Sequence, residues 1–155
     1  MYESYTRQSL PSRDYRALLG AALCVFNSNN AFVIEIVLRI SGEENGSWFQ
    51  LMDMTSGSLG KVVREVIEPK YGSAIPDLFS DLVNDRNRIA HSFQITVEHG
   101  EQILATKEKE NRGGGQFIIT EDFLFEFIKK NEKLSSLLSE CRASWIVRWL
   151  NGKDI

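Results

Sequence analysis

One stretch of this chain, residues 15–40, contains no proline and a single glycine. Its apolar residues recur every three or four positions, which is the period of one face of an α-helix. They are Tyr15, Leu18, Leu19, Ala22, Phe26, Val33, Ile36 and Ile40. We therefore expect one long helix with an apolar stripe, and such a stripe is stable only when further elements cover it.

Helical spacing continues after a polar loop that follows this stretch. The pattern predicts a short helix over residues 48–54. It also predicts a helix over residues 59–67 that Pro69 stops, because proline lacks the N–H that a helix needs. A further helix is predicted to start near Pro76, a residue that suits the first turn, and to run to about Phe93.

The sequence changes in character after these helices. Residues 95–98 and 102–106 flank the dipeptide His99-Gly100, a combination that predicts a β-hairpin. Residues 117–119 are a candidate third strand, and a last long helix carries the apolar residues that remain. The predicted fold class is therefore mainly α: a helical bundle with a small β-ribbon inserted before the last long helix.

Length and charge limit the organisation and the partners of the chain. We expect all 155 residues to form one domain, with residues 1–11 as a loose N-terminal segment and residues 94–119 as an inserted ribbon and loop. The formal net charge is -3 and the pI is about 5.5, which excludes a broadly basic nucleic-acid coat. Any contact with nucleic acid has to come from a local basic patch.

Few residues of this chain suit a metal site. Cys24 and Cys141 lie far apart, and His91 and His99 are the only histidines, so a zinc-type spacing is missing and we expect neither a metal nor a cofactor. We find no secretory pattern at the start and no apolar run close to the roughly 18 residues of a membrane span. The expectation is a cytoplasmic protein that has no membrane partner.

Arg86 lies at the centre of an apolar helical stripe. At about 100° per residue, the positions within about 60° of it are apolar. They are Phe79, Leu82, Ile89, Ala90 and Phe93. A guanidinium stays charged in a protein and is costly to bury unpaired. Arg86 is therefore expected to meet a carboxylate, several carbonyl groups or an anionic ligand.

Asn87 and His91 lie one helical turn apart on a shared flank of the same helix. This helix thus offers a permanent cation, an amide and an imidazole that can transfer protons at neutral pH. The planar fork of a guanidinium fits a phosphoryl group. Such a set of groups suits cleavage of RNA without a metal, in which the ribose 2′-hydroxyl acts as the nucleophile.

Simpler interpretations stay open for the same residues. Arg86 could pair with Glu35 or another buried acid, and His91 could be a helix-end histidine that the helix dipole stabilises. Asn29, on the apolar line of the first helix, is either a buried amide bonded to a neighbouring helix or a polar group near a site.

Arg86-Asn87, followed by three residues and then His91, resembles the R-x4-6-H signature of the HEPN superfamily. The long first helix and the place of the motif near the end of a later helix are also typical of that family. The resemblance implies a helical bundle that usually dimerises, with two copies of the motif facing each other in one composite cleft. Many members are metal-independent endoribonucleases of toxin–antitoxin, phage-defence or RNA-processing systems.

The resemblance also implies roles for individual residues. Arg86 would stabilise charge on the phosphate, His91 would be the general acid or base, and Asn87 would position the reactants. A polar residue of the first helix often assists in such proteins, and the candidates are Asn29, Asn30 and Glu35. We expect contacts to the substrate from Arg88, Asn29 and Glu35.

The expected partners are RNA, a second copy of the chain, and an antitoxin or regulatory protein. Basic side chains that could line an RNA path are Lys107, Lys109, Arg112, Lys129, Lys130 and Lys133. The ribbon does not map onto the family core. Other members keep the fold and act only as regulatory, protein-binding or nucleotide-binding modules, and this is the alternative function.

Overall fold

The computed structural model describes residues 2–107 and 113–150, with the backbone alone for residues 2 and 145–150. The described elements are, in chain order, a 3-10 helix Tyr2–Tyr5, α1 Arg13–Ser41, α2 Trp48–Asp53, α3 Ser56–Tyr71, α4 Ala74–Ala90, β1 Phe93–Thr96, a 3-10 turn Glu98–Gly100, β2 Gln102–Lys107, β3 Gln116–Ile118 and α5 Glu121–Leu150. The prediction of a mainly α fold with a small antiparallel ribbon before the last helix is confirmed.

Helix α1 is the central element, as the spacing of its apolar residues predicted. Ser12 caps its start by accepting a hydrogen bond from the Tyr15 N–H at 3.1 Å, and Gly42 ends it with a φ of 59°. The helix contacts α5 most extensively, and it also contacts α2, α3 and α4. Its contacts with α5 advance in step along both helices, from Asn29 with Asn131 to Glu35 with Arg142, so the two helices run parallel.

Phe26 joins three helices in the core. Its ring centroid lies 6.4 Å from that of Phe79 on α4 and 6.0 Å from that of Phe127 on α5, and both ring pairs are stacked. All three side chains are at most 2% exposed. Burial of each ring is worth about 2 to 3 kcal/mol, so this stack holds α1, α4 and α5 in a fixed relation.

The end predicted for the third helix is wrong. Helix α3 continues past Pro69 to Tyr71. It ends at Gly72, a residue with a φ of 78°, whose N–H donates to the Glu68 carbonyl at 2.9 Å. A proline in the last turn removes a single intrahelical hydrogen bond, whereas a glycine in the left-handed region redirects the backbone. The glycine therefore sets the boundary.

The predicted end of the next helix is also wrong. Helix α4 ends at Ala90 rather than near Phe93, and Phe93 begins β1. His91 leaves helical geometry with a ψ of 17°, and both the N–H and the hydroxyl of Ser92 turn back to the Ile89 carbonyl. These local bonds compete with continuation of the helix.

The ribbon is anchored to α1. The hairpin pairs Ile95 with Ile103 and turns through His99, which has a φ of 66° and is the only described residue other than glycine with a positive φ. The Tyr15 hydroxyl donates to the Ile119 carbonyl at 2.7 Å just after β3. Burial raises the pKa of the Tyr15 phenol, so the hydroxyl stays protonated and remains a donor at neutral pH.

The N-terminal segment makes contacts that its polar sequence did not predict. Arg16 on α1 forms an ion pair with Glu3 at 3.1 Å, and Gln94 on β1 donates to the Ser9 carbonyl at 2.7 Å. This segment therefore lies against both the start of α1 and the edge of the ribbon.

By length and composition alone, α1 is the one helix among residues 2–107 and 113–150 that could cross a membrane. The expectation that no stretch approaches a membrane span is wrong by this criterion. Core helices of soluble proteins meet the same criterion, and α1 places Val33, Ile34 and Val37 in the core with 0% exposure.

A buried amide pair locks α1 to α5. The Asn29 Nδ2 donates to the backbone carbonyl of Asn131 at 2.7 Å and to its Oδ1 at 3.0 Å. The Asn131 Nδ2 in turn donates to the Phe127 carbonyl at 2.9 Å. Two interpretations of Asn29 were open from the sequence. The structure shows the first of them, a buried amide bonded to a neighbouring helix.

We expect Asn29→Ala to lower the free energy of unfolding by about 2 kcal/mol, because it leaves buried acceptors of Asn131 unpaired. The matched control is Asn27→Ala, since Asn27 is an exposed residue of the same helix. Urea unfolding of both variants checks this. Equal stability of the two variants would contradict the locking role.

Candidate functional site

The guanidinium of Arg86 lies where α1, α3 and α4 meet. Its Cζ is 5.3 Å from the centroid of the Phe26 ring, and its Nη2 donates to the hydroxyl of Ser56, the first residue of α3. The side chain is half-buried. Arg86 was predicted to lie on the apolar face of its helix, and its contact with the Phe26 ring agrees with that prediction.

No carboxylate contacts Arg86 within the part of the chain that the structure describes. Its Nε is buried without a hydrogen-bond partner. Its Nη1 has no described partner either, and it is less deeply buried than Nε. Because an arginine in an apolar setting without a counter-charge is costly, the arrangement favours an external anion as its partner.

The alternative pairing of Arg86 with Glu35 does not occur. Glu35 accepts a hydrogen bond from Arg39 at 2.8 Å and lies 3.8 Å from Arg142. Glu35 faces a groove that residues of α1 and α2 line, among them Phe32 and Trp48. The structure therefore does not bring Glu35 together with Arg86.

Asn87 and His91 project from α4 without a described partner. Asn87 is half-buried and His91 is exposed, and neither side chain makes a hydrogen bond to a described residue. The backbone N–H of His91 donates to the Asn87 carbonyl at 3.0 Å, which fixes where the imidazole leaves the helix end. At about 100° per residue, His91 lies about 140° around the helix from Arg86, so one chain presents the two groups in different directions.

Arg88 lies on the opposite side of α4 from Arg86. Its Cζ is 5.0 Å from the ring centroid of Phe117 on β3, so the side chain lies against the ribbon. The structure therefore places Arg88, a predicted substrate contact, apart from the Arg86 guanidinium.

Among the three polar candidates of the first helix, Asn30 is the one with a buried side-chain atom that lacks a partner. It follows Phe26 by four positions, and residues with this spacing are neighbours on a helix face. Its Oδ1 is buried without a partner in the described structure, whereas Asn29 is bonded to α5 and Glu35 to arginines.

Two lysines of α5 on the expected RNA path bond to acids, whereas the third, Lys133, is exposed. Lys130 bonds to Asp85 at 2.8 Å, and Lys129 bonds to Glu126 at 2.7 Å. The hydrogen bond that Lys129 donates to Glu126 raises the pKa of Lys129. Lys109 and Arg112, two further residues of the expected RNA path, lie outside the described residues. No group of three or more His, Cys, Asp or Glu side chains suited to a metal occurs in the described ranges.

Sequence reasoning missed two residues of this site, Phe26 and Ser56. Phe26 was assigned to the core, and nothing in a helical period indicates that an arginine rests on its ring. Ser56 lies 30 positions from Arg86 along the chain, and a contact between two separate helices leaves no mark in local spacing.

Known proteins give no further indication of the site. No family model, no curated protein and no solved structure matches this chain.

We expect Arg86→Met to unfold at the same free energy as the natural chain or to be about 1 kcal/mol more stable, because it removes a half-buried charge that lacks a counter-charge. Lys130→Met is the comparison and should be less stable, since it leaves the Asp85 carboxylate, 18% exposed, unpaired. Chemical denaturation measures both. A loss of about 3 kcal/mol in Arg86→Met would show that the arginine has a structural partner.

Proposed function

We propose that this chain is a metal-independent endoribonuclease of the HEPN type. The observation that carries the proposal is the Arg86 guanidinium, which contacts the Phe26 ring and has no described carboxylate partner. Asn87 on the same helix and His91, the residue that follows this helix, have no described side-chain partner. The order Arg86-Asn87-x-x-x-His91 supplies the resemblance to the family.

The proposed reaction needs a base, an acid and a group that stabilises negative charge. The ribose 2′-hydroxyl loses its proton to an imidazole and attacks the neighbouring phosphorus, while the bond from phosphorus to the 5′-oxygen breaks. The leaving 5′-oxygen takes up a proton, and the products are a 2′,3′-cyclic phosphate and a free 5′-hydroxyl. His91 transfers the protons and Arg86 stabilises the charge on the phosphoryl oxygens.

Two copies of the chain form the proposed site. In one copy, Arg86 lies against Phe26 while His91 leaves the helix end about 140° away, so a second copy is the simplest way to surround one phosphate with both groups. Asn87, between them in angle, positions the substrate. The further proposed partner is an antitoxin or regulatory protein, and the proposed setting is a cytoplasmic toxin–antitoxin or phage-defence system.

We expect His91→Asn to lower the rate of cleavage of single-stranded RNA in EDTA by at least about 100-fold, the usual contribution of a general acid or base. His99→Asn is the matched control, because asparagine tolerates the positive φ of that turn residue. The control should retain full activity. Equal activity of the two variants would exclude His91 as the catalyst, and RNA binding without cleavage by the natural chain would favour the non-catalytic module.

If two copies share one cleft, dimers of one natural chain and one His91→Asn chain should be impaired. Co-expression of the natural chain with an excess of the His91→Asn chain should lower activity per natural chain, because most natural copies then face an inactive partner. Independent sites would leave activity per natural chain unchanged. A mixture with Asn27→Ala, a surface variant, controls for the effect of co-expression.

A further inference from the structure

We propose that Ser56 is a positioning residue for Arg86, an inference that rests on the proposed function. Ser56 is the first residue of α3, and its hydroxyl oxygen accepts the hydrogen bond from Arg86 Nη2. The serine comes from a different helix than either the arginine or the ring beneath it. Arg86 is therefore held from two independent directions.

The two contacts of the guanidinium fix different movements. The ring of Phe26, 5.3 Å from Cζ, limits how far the guanidinium moves toward α1, but contact with a ring leaves the group able to rotate. A hydrogen bond from one terminal nitrogen to a fixed oxygen removes this rotation. With Nη2 bound to Ser56 and Nε buried, the Nη1 end is the part of the fork presented to an anion.

The Ser56 hydroxyl is not needed to begin α3. Thr55 is the N-cap, and its Oγ1 accepts the hydrogen bond from the Ser58 N–H at 3.3 Å. The Thr55 hydroxyl also donates to the Ser58 hydroxyl at 2.9 Å. The described hydrogen bond of the Ser56 hydroxyl is the one from Arg86, so its role can be tested without removing the helix cap.

The test compares three variants of the full chain with single-stranded RNA in EDTA. Ser56→Ala should lower kcat about 10- to 100-fold and leave KM within about twofold, because a misplaced cation costs most in the transition state. Ser56→Thr keeps a hydroxyl and should stay within about threefold of the natural kcat. Ser58→Ala, at the same helix end, should match the natural chain.

A second measurement follows the rotation of the Arg86 guanidinium itself. In ¹⁵N NMR spectra, the Arg86 Nε–H signal is identified by its loss in Arg86→Lys. Rotation of the guanidinium should be faster in Ser56→Ala than in the natural chain and unchanged in Ser58→Ala.

The outcomes separate the two proposals. If the natural chain cleaves RNA and Ser56→Ala keeps its kcat, the role of Ser56 is overturned and the ribonuclease proposal stands. If the natural chain does not cleave RNA, the ribonuclease proposal falls, and unchanged guanidinium rotation in Ser56→Ala overturns the positioning as well. Faster rotation together with a lower kcat, and recovery of both in Ser56→Thr, supports the inference.

Discussion

The contact of the Arg86 guanidinium with the Phe26 ring links the core of this protein to its candidate functional site. Phe26 stacks with both Phe79 and Phe127 and so fixes α1 relative to α4 and α5. The same ring contacts Arg86, which lies about two turns beyond Phe79 on α4. Because the ring cannot move without disturbing three helices, the position of the cation is set by core packing rather than by a mobile loop.

Arg86 differs from other cations of the fold in that it has no described carboxylate partner. Arg64 donates hydrogen bonds to both Asp77 and Glu68. The hydrogen bond from Arg64 lowers the pKa of Asp77. Lys130 has Asp85 as its acid. Arg86, in a more apolar setting, has a serine hydroxyl and a ring face but no carboxylate among the residues that the structure describes. Stability alone gives no reason to retain a cation there, and a role toward an external anion does.

Local periodicity predicted most of the fold and part of the site. The apolar spacing of α1 and the turn at His99-Gly100 were sufficient for the long helix and the ribbon, because both features are encoded within a few residues. Helix ends were less predictable, since Gly72 rather than Pro69 ends α3 and bonds of Ser92 to Ile89 end α4. Contacts between distant segments could not be predicted at all. The pair of Asn29 with Asn131 and the support of Arg86 by Ser56 depend on how helices are arranged in space.

The chemical groups at the ends of the RNA products distinguish the proposed cleavage from other kinds of RNA hydrolysis. The proposed cleavage is an internal attack by the 2′-hydroxyl, supported by a guanidinium and an imidazole. Purified protein incubated with a single-stranded RNA in EDTA should yield fragments that carry a 2′,3′-cyclic phosphate and a 5′-hydroxyl, detected by mass spectrometry. Fragments that carry a 5′-phosphate and a 3′-hydroxyl, or intact RNA at every protein concentration, would contradict it.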